Sequence, residues 1–201
     1  MVSFSFRFEQ VINGQNFATQ ALVGSAVTVS YWSGSAPSNV YISGTCAFTS
    51  DNVQLTCPDV AGVGNNLKFT VTIGGQLSAT YTSTVSYVAP TISSVVSPLL
   101  NSVGGDTFTI NGNSFGPLST PNNVLSASYT AGGVVFSATG CSVATAQSAI
   151  PCSSVPGAGA GSSLTLTVAG QAVTIGSPSA TPSYKLPAIT NVTPTQLNTG
   201  G

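Results

Sequence analysis

The sequence predicts an all-β protein, and three observations predict it. Gly and Pro punctuate the chain every 8 to 15 residues. Between them lie stretches rich in Val, Ile, Thr, Tyr and Phe that alternate with period two, the mark of a strand with one buried face. No segment carries the apolar spacing of an amphipathic helix. The strands are read in order at FSFRF (4–8), AVTVSYW (26–32), LKFTVTI (67–73), TFTI (107–110), GVVFSA (133–138) and SLTLTV (163–168). Turn-forming Gly or Pro near each stretch ends it before it becomes long enough to read as anything but a strand.

The two halves align with each other. VINGQNF at 11–17 matches TINGNSF at 109–115, GVG at 62–64 matches GAG at 157–159, and VTIGGQ at 71–76 matches LTVAGQ at 166–171. SYVAPTI at 86–92 matches SYKLPAI at 183–189, and Cys46 and Cys57 match Cys141 and Cys152 with the same spacing of 11. The offset stays between 95 and 98 residues throughout. Matching motifs in one order, with equal Cys spacing, point to a duplicated unit. The length of 201 residues suits two units of about 100 residues each.

Composition excludes several classes. Charged residues make up 3% of the chain, against about 25% in ordinary soluble domains. The polar surface is therefore Ser, Thr, Asn, Gln and Gly, with little charge repulsion to keep copies apart, and suits a protein that packs against itself or carries sugars. Three scattered basic residues, Arg7, Lys68 and Lys185, cannot form a phosphate-neutralising patch, so nucleic acid is not an expected partner. No run of 18 or more apolar residues predicts a transmembrane helix. No leader with a charged and then an apolar region is legible, so an extracellular location implies one that was removed or lies outside these residues.

Taken together, P-x-I followed by Pro and Gly-Gly, then TFTINGNSFG, a Cys pair, a Gly-x-Gly turn, a VTIGGQ-like strand and a closing S-Y resemble the IPT/TIG domain. Residues 90–186 cover the pattern end to end, and residues 10–89 cover all but its opening strand. The resemblance implies two tandem immunoglobulin-like β-sandwiches of the early-set type. They would span 1–89, incomplete at the N-terminal strand, and 90–186, complete, followed by a C-terminal extension at 187–201. The family occurs in surface receptors, bacterial surface proteins and some transcription factors, and in certain enzymes it is an accessory module.

Each Cys pair encloses a segment that reads as a β-hairpin, whose neighbouring strands bring Cβ atoms within disulfide range. The expected pairs are Cys46 with Cys57 and Cys141 with Cys152, each stabilising the fold by roughly 3 kcal/mol and implying an oxidising, extracellular or cell-surface compartment. The competing readings are four free buried thiols, or a zinc site, which the wide spacing and the absence of His disfavour.

No enzymatic constellation is expected. The chain has no His to serve as a base for its many Ser and Thr. Asp51 and Asp59 read as solvated turn residues rather than a glycosidase pair. INGN at 110–113 and GAGAG at 157–161 lack the P-loop Lys and the dinucleotide-binding spacing. Four acids in the whole chain, Glu9, Asp51, Asp59 and Asp106, are too few for calcium, and no metal or cofactor is expected. Tyr31 and Trp32 form an aromatic pair that, if exposed, would stack on a sugar ring or fill a partner's pocket; the plainer reading is a core or edge position. Asn191-Val192-Thr193 fits the N-glycosylation sequon, with Pro194 following directly, and Thr195 lies in a Ser/Thr/Pro-rich stretch suited to O-linked sugar.

The last stretch, PAITNVTPTQLNTGG at 187–201, resembles PTISSVVSPLLNSVGG at 90–105, which leads into a complete unit. The first unit lacks such a lead-in, and the tail is a lead-in without a unit. Three readings follow. In the first, the tail is donated to the first unit of the next copy, with Pro187, Ile189, Val192, Pro194, Leu197, Gly200 and Gly201 as assembly residues. The apolar N-terminal stretch with Phe4, Phe6 and Phe8 would be covered in the same assembly. The protein is then a structural subunit of an extracellular filament or surface appendage. In the second, the chain is part of a longer array, a spacer or adhesion segment that binds a glycan or protein. In the third, ranked last, the tail folds back on its own first unit, although its 15 residues reach at most about 50 Å.

Overall fold

The computed structural model describes residues 9–19, 21, 27–176, 181–193 and 196. Strands dominate, and every pairing between named strands is antiparallel. The predicted strand at 4–8 lies outside the described residues.

The first half carries β1 (Glu9–Asn13), β2 (Val27–Ser33), β3 (Ala36–Ile42), β4 (Ala47–Ser50), β5 (Gln54–Pro58), β6 (Leu67–Ile73), β7 (Gln76–Leu77) and β8 (Tyr81–Thr82). They form one sheet ordered β1-β5-β4 and a second ordered β3-β2-β6, with β7 and β8 both on β6. The second half carries β9 (Thr91–Val96), β10 (Thr107–Asn113), β11 (Leu125–Ala131), β12 (Val134–Ser137), β13 (Ala149–Ser153), β14 (Gly161–Val168) and β15 (Gln171–Ile175). Its sheets run β13-β10-β9 and β12-β11-β14-β15. A 3-10 turn at Asn122–Val124 leads into β11.

The duplication read from the sequence reappears in topology. The run β3-β2-β6-β7 has the same order as β12-β11-β14-β15, and β1 pairs β5 as β10 pairs β13. The registers agree too: Gln10 faces Cys57 as Phe108 faces Cys152. The period-two pattern explains which side chains go inside. Val27, Val29 and Tyr31 of β2 are buried, as are Leu164, Leu166 and Val168 of β14, while the residues between them are more open. Gly74-Gly75 and Gly132-Gly133 both adopt positive φ, as a tight two-residue hairpin between twisted strands requires.

Two apolar cores result. One gathers Phe17, Val29, Tyr31, Leu55 and Leu67 of the first half. The other gathers Leu100, Phe108, Ile110, Phe115 and Ile150 of the second half, and also takes in Ala36 and Val63 from the first. The halves therefore pack on each other.

Both expected disulfides are present, Cys46–Cys57 and Cys141–Cys152, each with Cα atoms 4.2 Å apart, and no described cysteine is free. The first closes the β4–β5 hairpin as anticipated. The second closes a looser loop whose first arm is tied by the Thr139–Ser153 bridge. Two disulfides are compatible with a secreted or extracellular protein. No helix among the described residues is long and apolar enough to cross a membrane.

Candidate assembly groove

The matching strands β1 and β10 differ in their pairing. β10 is paired on both edges, by β13 and by β9. Its counterpart β1 is paired by β5, and no described strand lies on its other edge. In the second half, the lead-in at 90–105 fills the corresponding slot in two steps. β9 runs along β10 with a register shift between Asn111 and Gly112. The chain then crosses to the 183–185 stretch, where Leu100 and Tyr184 form a parallel bridge. There the Leu100 N–H donates to the Ser183 carbonyl at 2.8 Å, and the Lys185 N–H donates to the Leu100 carbonyl at 2.8 Å. Ile92 and Val95 pack against the core, and Leu100 is fully buried. The Asp106 carboxylate accepts from the Asn101 backbone N–H and side-chain amide, and Lys185 Nζ donates to Asn101 Oδ1 at 2.7 Å.

In the first half the same slot is a groove of about 840 Å³. Ile12 and Phe17 line one wall, and Leu67, Phe69, Val71 and Tyr87 line the other. Its backbone edges are β1 and the 86–88 stretch, the counterpart of 183–185. No described residue bonds the Ser86 carbonyl or the Val88 N–H as Leu100 bonds their counterparts. Burial differs as well: Ile110 is sealed, whereas its equivalent Ile12 is half-buried. The Oε1 atom of Gln10, the residue equivalent to Phe108, is buried in this wall without a hydrogen-bond partner.

Gly14 carries the same message. At Gly112, a Cβ would sit 1.8 Å from the Thr91 carbonyl oxygen of β9 and 2.6 Å from the Phe115 ring, so only glycine admits the crossing strand. At Gly14, the equivalent position, a Cβ would meet the Phe17 ring at 2.3 Å and no strand carbonyl. Both positions are glycine packed on a phenylalanine ring, and β9 uses the clearance at Gly112.

The tail is bare where it is described. Pro187, Asn191 and Thr193 are exposed, and residues 185–193 belong to no strand. Ile189 is 85% exposed and Val192 66% exposed, although their equivalents Ile92 and Val95 are packed on a core. The fold-back reading finds no contact among these residues. Phe4, Phe6, Phe8, Pro194, Thr195, Leu197, Gly200 and Gly201 lie outside the described residues.

The aromatic pair requires a correction. Tyr31 is 0% exposed, so it cannot be a surface contact for a ligand. It points inward with Val27 and Val29, stacks on Phe69 at 5.2 Å, and its hydroxyl accepts from the Val60 N–H at 3.1 Å. Trp32, on the opposite face of β2, is half-buried. The duplication signals the role of Tyr31, because Tyr129 holds the matching place and bonds Tyr184 at 2.7 Å. Asp51 and Asp59 are exposed, the latter on the groove rim beside Glu9. Among the described residues, no three His, Cys, Asp or Glu gather as a metal-binding set.

Tyr41, Tyr87 and Tyr184 are expected to make stability pH-dependent. Burial is the main factor raising the hydroxyl pKa of Tyr41, Tyr87 and Tyr184, and Tyr87 and Tyr184 are raised further by hydrogen bonds to Tyr31 and Tyr129. The unfolded chain therefore loses these protons at lower pH than the folded one. Their contribution is fully present below the ordinary tyrosine pKa of about 10 and is lost as pH climbs above it. The urea midpoint is expected to fall clearly between about pH 9 and pH 11; a midpoint that holds or rises would contradict this assignment.

What the groove offers is backbone pairing and an apolar floor for an extended segment. The residues missed by sequence reasoning are those of its far wall, Leu67, Phe69 and Tyr87; the SYVAP and SYKLP repeat is the signal that marks Tyr87. No family model and no curated protein matches this chain.

Proposed function

We propose that this protein is a structural subunit of an extracellular filament, built from two IPT/TIG-like, immunoglobulin-like sandwiches. Each copy donates residues 187–201 to the groove of the next. The observation that carries the reading is the edge of β1 on which no described strand lies, the place that the second half fills with β9 and Leu100, a lead-in of the same sequence type as the tail. An extended segment entering there satisfies open backbone groups along β1 and covers Ile12 and Phe69. Ile189 and Val192 leave water in the same step, worth about 1.5–3 kcal/mol for each side chain fully buried. Donor and acceptor are different surfaces of one chain, so repeating the contact gives an open fibre or a ring. Few charges oppose the approach of copies.

A second reading rests on the same bare tail. Residues 187–201 open a further unit of a longer surface protein, in which these sandwiches serve as spacers or contact a glycan through the half-buried Trp32. Light scattering coupled to size-exclusion chromatography separates the two. The 201-residue chain is expected to form large assemblies, and a version ending at Leu186 is expected to run as a monomer of roughly half-open sandwich. Monomers from both would remove strand donation and leave the spacer reading.

A further inference from the structure

The geometry points to a second contact between successive copies, one that repeats the packing between the two halves of a single chain; this inference rests on the strand-donation reading. Within the chain, the turn at Ala169-Gly170 nests in a notch formed by 33–36 and 63–65. Ser35 Oγ donates to the Ala169 carbonyl at 2.7 Å, and Gln171 Nε2 donates to the Tyr87 carbonyl at 3.1 Å. A Cβ on Gly170 would sit 2.5 Å from Ser35 Oγ, and one on Gly116 would sit 2.5 Å from a Val63 methyl. Ala36, Val63, Gly64 and Ala169 are buried at this junction.

The duplication places a copy of each partner surface at the two free ends. The turn Gly74-Gly75-Gln76 is the counterpart of Ala169-Gly170-Gln171, and the notch of 131–134 with 158–160 is the counterpart of 33–36 with 63–65. Both are bare. Gly74, Gly75 and Gln76 are exposed, and open space surrounds the Cβ positions of Gly74, Gly75 and Gly133. Val134 and Ala158, which stand where Ala36 and Val63 are buried, are exposed. A recess of about 360 Å³ lined by Ala18, Gly74 and Gln76 lies in the region equivalent to the Val63 seat beside Gly116. No described residue donates to the Tyr184 carbonyl, the counterpart of the Tyr87 carbonyl that accepts from Gln171.

The partner for these surfaces is a second copy of this chain. A tail inserted beside β1 of the next copy leaves the second half in the relation that the first half has to the second within one chain, because residues 90–105 make that connection there. The Gly74–Gln76 turn of the acceptor then enters the notch of the donor, with the Gln76 amide donating to the Tyr184 carbonyl. The bond made by Ser35 is not repeated, since Gly133 stands in its place.

Hydrogen exchange of the assembled 201-residue chain, compared with the chain ending at Leu186, tests the inference. Amides of β1, of 74–77 and of 132–134 are expected to slow together on assembly. Protection of β1 with no change at 74–77 and 132–134 would keep strand donation and overturn the second contact. Absence of assembly would overturn both. The paired substitutions Gly75→Asn and Gly133→Asn provide a second test. Asn tolerates positive φ, and the space is open in the single chain, so the melting temperature should hold. The concentration needed for assembly is expected to rise about tenfold or more; unchanged assembly would overturn the contact.

Discussion

Aspartate at both Ile189 and Val192 is expected to abolish assembly without touching the fold. Both side chains are exposed in the single chain, so the double substitution should leave its unfolding midpoint within about 0.5 kcal/mol. In the proposed assembly they take the places of Ile92 and Val95, packed on an apolar core. A carboxylate at these half-buried places has no partner and costs about 2 kcal/mol or more. Glu9 and Asp59 line the same groove and add repulsion. Two such penalties raise the concentration needed for assembly by about three orders of magnitude or more, at tenfold for each 1.4 kcal/mol. Light scattering across a concentration series reads this directly. Ile189→Leu with Val192→Ile keeps the apolar character and should assemble nearly as the parent does. Equal assembly from the Asp variant would show that these residues are not the donated contacts.

Leu100→Ala is expected to be among the most damaging single substitutions in the second half. Leu100 is fully buried, at the point where the lead-in bonds the 183–185 stretch. Truncating a sealed Leu costs about 2–5 kcal/mol, part transfer and part cavity. Urea unfolding should show that loss with little change in slope. A loss below about 1 kcal/mol would mean that the lead-in is a loose strap rather than part of the core. In the proposed assembly, the value also gauges what the first half gains when a tail is donated to it. That half should unfold first in the unassembled chain, and a synthetic peptide of residues 187–201 should raise its midpoint by mass action.

The strands were most legible in long runs with one apolar and one polar face, and short alternating ones such as QLTCP of β5 and AIPCS of β13 were not named. LKFTVTI spans β6 residue for residue, and AVTVSYW is β2 shifted by one. Strand β3 was missed because APSNVYI places Pro37, Ser38 and Asn39 inside the run, a pattern tolerated at a sheet edge, where β3 lies. Tyr31 was read with its neighbour Trp32 as a pair, whereas period two sends adjacent residues to opposite faces; Val27 and Val29 already indicated which way Tyr31 points. The edge of β1 that carries no described strand was legible because the lead-in that covers its counterpart β10 occurs at 90–105. The packing of Ser35 on Ala169 was not, since a contact across 134 residues leaves no local pattern.

The antiparallel run of β9 along β10 has a mechanical consequence for any fibre that copies it. A donated strand held this way is pulled along its own axis when the fibre is stretched, because its root lies on one subunit and its ladder on the next. The ladder bonds then carry tension side by side and must give way together, instead of peeling from one end. The Cys46–Cys57 and Cys141–Cys152 links, each joining positions 11 apart, keep the segment between them from paying out as slack. Such a fibre would be stiff under load and would fail by sliding at its joints before its sandwiches unravel.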